Sequence, residues 1–117
     1  MISQRHDVRV LVATQPVDFR CGINRLVSLV TQALGADAYC GDLFVFRSRR
    51  RDRLKVIHFD GTGMVLTTKW LEDHRFFWPP VEGGVVTLSG AQYAALFSGL
   101  DWSKLAAKPV RRPTLSG

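Results

Sequence analysis

The apolar positions of this chain change period several times, and each change predicts an element. Residues 8–14, Val8-Arg9-Val10-Leu11-Val12-Ala13-Thr14, are short and β-branched, and they place Val8, Val10 and Val12 on one face of a strand. Pro16 ends it, because proline has no N–H to give to a ladder. Over residues 22–34 the period lengthens. Ile23, Leu26, Val27, Val30 and Leu34 recur at spacings of three and four, which is the stripe of an amphipathic helix. Gly35 supplies its C-terminal stop. Three strand signals follow, over residues 42–46, 54–59 and 64–71. The first two are joined by an arginine-rich link, residues 47–53, and the second two by Asp60-Gly61-Thr62-Gly63, which has strong turn chemistry. Short links of this kind favour an antiparallel meander.

Beyond the meander, Phe76-Phe77-Trp78-Pro79-Pro80 is aromatic and then rigid, and Gly83-Gly84 reads as a turn. Val85 to Leu88 makes a last strand, and Ser89 is a fitting N-cap for a helix over about 90–98. The order β-α-β-β-β-β-α predicts an α+β domain over residues 1–106. Its mainly antiparallel sheet of about five strands is expected to be covered on one face by two helices, with the basic hairpin protruding. Residues 107–117 hold two prolines, two arginines and little apolar content, and read as a flexible basic tail.

Composition adds little to this until charge is placed along the chain. A chain of 117 residues, 46% apolar and 22% charged, is an ordinary single domain. The net charge of +6 is uneven: residues 1–46 balance to zero, residues 47–60 carry +4, residues 61–103 carry −2 and residues 104–117 carry +4. A concentrated basic segment points to a polyanion, most commonly nucleic acid. Cys21 and Cys40 have no C-x-x-C spacing and read as free cytosolic thiols. Met1 to Arg9 has no apolar core of a secretory leader, and no apolar run is long enough to span a membrane. A cytoplasmic protein, nucleoid-associated when bound, is the expectation.

The densest chemistry lies between Arg47 and Lys55, where six of nine residues are cationic. Charges packed so tightly repel one another, and a bound polyanion relieves the repulsion. The planar guanidinium fork suits phosphate in particular. An edge-protecting charged turn is the plainer alternative.

The residues around this segment resemble a known family. Gly41-Asp42-Leu43-Phe44-Val45-Phe46-Arg47 followed by Arg49-Arg50-Arg51-Asp52-Arg53-Leu54-Lys55 is similar to the central signature of the TnpB accessory proteins of the bacterial insertion sequences numbered sixty-six. Upstream the likeness takes in Val10, Pro16-Val17-Asp18-Phe19-Arg20, Gly22-Ile23 and Leu26. Downstream it takes in Asp60, Gly63, Lys69, Leu71-Glu72, Arg75-Phe76, Trp78-Pro79, Leu88-Ser89, Gln92 and Gly99-Leu100-Asp101-Trp102. It runs in order over roughly residues 8–102. Cys21, Ala38-Tyr39, Trp70 and Asp73-His74 depart from the family pattern, and two of these changes remove positive charge near Lys69 and Glu72. The resemblance implies an auxiliary role in transposition beside a separate transposase that performs the strand chemistry.

Catalytic and metal-binding readings are weaker. Asp18, Asp60 and Glu72 would serve a metal-dependent nuclease if they met around magnesium. Asp60 is better explained as the first residue of an Asp-Gly turn, and Asp18 as a local partner of Arg20 or a helix cap. His6, His58, His74, Cys21 and Cys40 lack ligand spacing, and no serine is marked as a nucleophile. No cofactor is expected.

The expected function is therefore a non-catalytic accessory factor of DNA transposition. DNA phosphates are to be gripped by Arg47, Arg49, Arg50, Arg51, Arg53 and Lys55, with Lys69 and the tail cations Lys108, Arg111 and Arg112 adding attraction. Trp70, Phe76 and Trp78, with Phe77, are either core or a partner-binding patch. The alternative is an interaction module that docks on the transposase without touching DNA.

Overall fold

The computed structural model describes residues 8–105. The strands are β1 (Val10–Ala13), β2 (Leu43–Arg47), β3 (Arg53–Phe59), β4 (Met64–Trp70) and β5 (Val85–Leu88); the α-helices are α1 (Ile23–Leu34) and α2 (Gly90–Phe97). All seven elements lie where the hydrophobic pattern places them, to within two residues at their ends.

They form one five-stranded sheet in the order β4-β3-β2-β1-β5. The β2-β3-β4 meander is antiparallel, as its short links require, and β1 pairs antiparallel with β5. The exception is β1-β2, which is parallel. Parallel neighbours need a crossover, and α1 provides it. The sheet is thus mainly antiparallel, in an α+β chain with two α-helices.

One expectation fails. The helices do not share a face. Leu26 and Val30 of α1 pack with Leu11, Ala13, Phe44, Phe46 and Ile57. Leu96 of α2 packs with Val10, Val12, Val45, Leu54, Val56 and Leu88, together with Leu71, Phe76 and Trp78. Alternate residues of a strand point to opposite faces, so these are two cores on the two sides of one sheet. All four residues of β1 are buried. The signal was present in the sequence: Val-Leu-Val-Ala and Leu-Phe-Val-Phe are continuous apolar runs, the mark of strands covered on both faces.

Local chemistry explains the helix ends. Gly35 caps α1 in the left-handed conformation at φ 61°, where its N–H bonds to the Val30 carbonyl oxygen. Ser89 opens α2 with a capping box: its hydroxyl accepts from the Gln92 N–H while the Gln92 side chain accepts from the Ser89 N–H. No helix among the described residues is long and apolar enough to cross a membrane.

Candidate nucleic-acid interface

The basic segment does not protrude as a ribbon. Strands β2 and β3 are interior strands, flanked by β1 and β4. Only the turn between them, Ser48 to Asp52, leaves the sheet, and its backbone is held from both sides. The Arg47 carbonyl accepts from the Val17 N–H at 2.9 Å, which docks the segment before α1 against the turn. On the other side the Asp52 carbonyl accepts from Leu71 N–H at 2.8 Å, and the Arg51 carbonyl accepts from Phe76 N–H at 2.9 Å. The Trp78 indole N–H donates to the same Arg51 carbonyl at 3.1 Å. Arg51 is held at φ 73°, a left-handed conformation uncommon for a residue with a Cβ, and these bonds keep it there.

Strand alternation sorts the cations by face. Arg47 lies opposite Leu54 and points to the α2 side. It is buried, with its guanidinium 5.6 Å from the Trp78 ring centre and its Nε donating to the Ser48 carbonyl at 3.1 Å. Burial pushes its pKa down from the ordinary arginine value, and the neighbouring Arg51 charge adds to this. Lys55 points to the other side and is also buried. Its ammonium donates to the Phe19 and Cys21 carbonyls at 2.7 and 2.8 Å, so it fastens the loop leading into α1. Lys69 donates to the Phe97 carbonyl at 2.6 Å, at the C-terminal end of α2, where a cation is favoured. Arg53 is half-buried and stacks on Trp70 at 3.9 Å.

That leaves three successive exposed arginines, Arg49, Arg50 and Arg51. Arg50 has a loose contact of 3.7 Å with Asp52; Arg49 and Arg51 have no ion pair among the described residues. The expected grip of six cations, with Lys69 beside it, is therefore divided. Arg49, Arg50 and Arg51 face solvent together, while Arg47, Lys55 and Lys69 are spent on internal carbonyls and rings. Arg111 and Arg112, with Lys108, lie outside the described residues.

One cation was not expected at this site. Arg75 is exposed and lines two shallow clefts, one with Arg50 and the other with Arg51. Nothing in its spacing from the arginine run indicates this. The antiparallel meander does, since the end of β4 returns beside the start of β3.

The aromatic set divides as well. Phe76 and Trp78 are buried in the core on the α2 side, edge to face with ring centres 5.7 Å apart. They support the turn from beneath and offer no surface to a partner. Trp70 is 60% exposed on edge strand β4, and Phe77 is also exposed.

The acidic residues take local roles. Asp18 bonds Arg20 through both its backbone N–H and its guanidinium, the closest contact being 2.7 Å, and Arg20 holds its carboxyl well below the usual range. Asp60 accepts from Thr62 N–H, Thr62 hydroxyl and Gly63 N–H within its own turn, which lowers its pKa. Among the described residues no three His, Cys, Asp or Glu side chains come together as a metal site would need.

A family model described as IS66 Orf2 like protein matches residues 8–107. The chain is 54% identical to uncharacterized protein y4jC of Sinorhizobium fredii (strain NBRC 101917 / NGR234), over 97% of each chain. It is 45% identical to uncharacterized protein y4hO of the same strain, over the full length of both. No solved structure matches.

Proposed function

The chain belongs to the IS66 Orf2-like family, a family of transposition accessory proteins, and from that premise we propose that it binds DNA phosphates through its arginine turn while a separate transposase performs the strand chemistry. The observation that carries this reading is the trio Arg49, Arg50 and Arg51. Three adjacent guanidiniums are exposed on a turn whose backbone is tied down on both sides. Beyond the loose Arg50–Asp52 contact the cluster has no ion pair among the described residues, and phosphate is the anion whose geometry it fits. Arg75 extends the same surface. Backbone contacts of this type give affinity without base readout.

Fluorescence anisotropy on a labelled duplex from an element end and on a scrambled duplex tests it. With roughly three phosphate contacts, log affinity falls with log salt at a slope of about −2.7. Changing Arg49, Arg50 and Arg51 together to alanine flattens that slope and abolishes most binding. A wild-type protein that ignores both duplexes at low salt sinks the reading. So does a triple variant that binds like wild type.

Trp70 favours a second reading. An exposed tryptophan stacked on an arginine at a free sheet edge is of the type found at protein-binding hot spots. On that reading the transposase itself is the partner, and a fixed stoichiometry without DNA, lost on Trp70→Ala, is the expected result.

A further inference from the structure

We propose that the cleft between the Pro16–Phe19 segment and the arginine turn is a bounded site for a single phosphate group, with the Ser48 hydroxyl as one of its contacts; the inference rests on the phosphate-binding reading of that turn and gives it a specific seat. The cleft encloses about 360 Å³. Pro16, Val17, Asp18 and Phe19 form one wall, and Ser48, Arg49, Arg50 and Arg53 form the other.

The second observation is Ser48. It is only 4% exposed, and its hydroxyl oxygen has no hydrogen-bond partner. Buried hydroxyls without partners are rare because the lost hydration is not replaced. A phosphate oxygen that displaces the side chains covering this hydroxyl would accept its proton. Asp52 has the complementary irregularity. Its Oδ1 is buried and accepts no hydrogen bond, while Arg50 and Arg53 stand 3.7 and 3.9 Å away. Arg50 is exposed and held only by this loose contact, so it can turn towards an anion as a fork, while Arg53, stacked on Trp70, adds its charge from a fixed position.

The walls are already in place. The Val17 N–H to Arg47 carbonyl bond closes the cleft at one point, and the Lys55 ammonium holds Phe19 and Cys21 at another. The one carboxylate lining the cleft is Asp18, and Arg20 engages it at 2.7 Å. Counting Asp52 behind the wall, three guanidiniums and Arg20 stand against two carboxylates, and Arg49 has no ion pair among the described residues. The cleft has room for more than the phosphoryl tetrahedron, so a phosphate carried on a nucleic-acid strand fits it as well as the free ion. Such a phosphate comes either from the end of a strand or from within it.

Thermal unfolding in inorganic phosphate against chloride, at matched ionic strength, tests the site first. Phosphate should raise the melting temperature of the wild type above its value in chloride. Ser48→Ala should melt higher than wild type without phosphate, since the unpartnered hydroxyl is gone, and should lose most of the phosphate-dependent rise. The exposed Arg49→Ala should keep the fold and lose the rise as well. Equal shifts in phosphate and chloride overturn the proposal, as does an undiminished phosphate shift in either variant. A Ser48→Ala protein that melts lower without phosphate also overturns it.

Duplexes with 5′-phosphate or 5′-hydroxyl ends then separate the sources. Threefold or greater preference for the 5′-phosphate assigns a strand terminus. Equal affinity, weakened on both duplexes by Ser48→Ala, assigns a backbone phosphate. If both duplexes bind and Ser48→Ala binds them like wild type, the arginine turn still grips DNA and the seat is wrong. If inorganic phosphate stabilises but neither duplex binds, the seat stands and the DNA reading is lost.

Discussion

The two turns of the meander have opposite construction. Asp60 to Gly63, between β3 and β4, is closed by its own first residue, whose carboxylate takes three hydrogen bonds from within the turn. Ser48 to Asp52, between β2 and β3, has almost nothing of its own. Its backbone is held by Val17, Leu71, Phe76 and Trp78, it keeps Arg51 in a left-handed conformation, and it leaves Ser48 and Asp52 with unpartnered oxygens. One turn is a local solution that merely reverses the chain. The other is imposed by distant residues and stores unsatisfied polar groups and crowded charge. Strain and unmet hydrogen bonding of that kind collect where a ligand is to be met.

The largest expected effect breaks the support of the basic turn. Trp78→Ala removes a buried ring from the core on the α2 side and should cost about 3–5 kcal/mol in urea unfolding. It also removes one of the two donors to the Arg51 carbonyl, so amide exchange should accelerate in residues 48–52 before it does in residues 60–63. Equal acceleration in both turns would contradict the difference in their construction.

A smaller change separates cations that build from cations that bind. Lys55→Met keeps the stem but removes the ammonium from the Phe19 and Cys21 carbonyls, and should cost about 2 kcal/mol. The salt slope of DNA binding should stay at its wild-type value. A slope flattened as much as by the loss of an exposed arginine would return Lys55 to the binding surface.

The smallest effect sharpens the other side of the comparison. The Asp60 carboxyl has a lowered pKa in the fold because backbone and hydroxyl donors converge on its ionised form. Its contribution is therefore present above the ordinary carboxylate range and is lost as pH falls through the lower folded value. Asp60→Asn should melt below wild type at neutral pH, and the gap should close below about pH 4. DNA binding should not change.

Much of the fold was legible. Apolar periodicity, the glycine after α1 and the serine-glutamine box of α2 act over a few residues, and each produced its element where the pattern placed it. The sheet class followed from short links between strands. The side taken by each helix does not follow from Val10 and Val12 alone, because Leu11 and Ala13 on the other face of β1 are equally apolar. At the candidate site, the concentration of cations between Arg47 and Lys55 could be read directly from the run of arginines. The fates of Arg47, Lys55 and Lys69 could not, because a lysine that meets a carbonyl 28 or 36 residues away looks the same in sequence as one that meets water.

The amino-acid sequence by itself determined the elements, the mainly antiparallel sheet and the concentration of positive charge at a single turn. These depend on interactions between near neighbours, and near neighbours are what a sequence displays. Only the tertiary structure decided which charges remain available. Strand register sends alternate cations to opposite faces, and the carbonyls and rings waiting there engage some of them. Arg49, Arg50 and Arg51 are left to solvent because their turn lies beyond the end of the sheet, where no strand faces them.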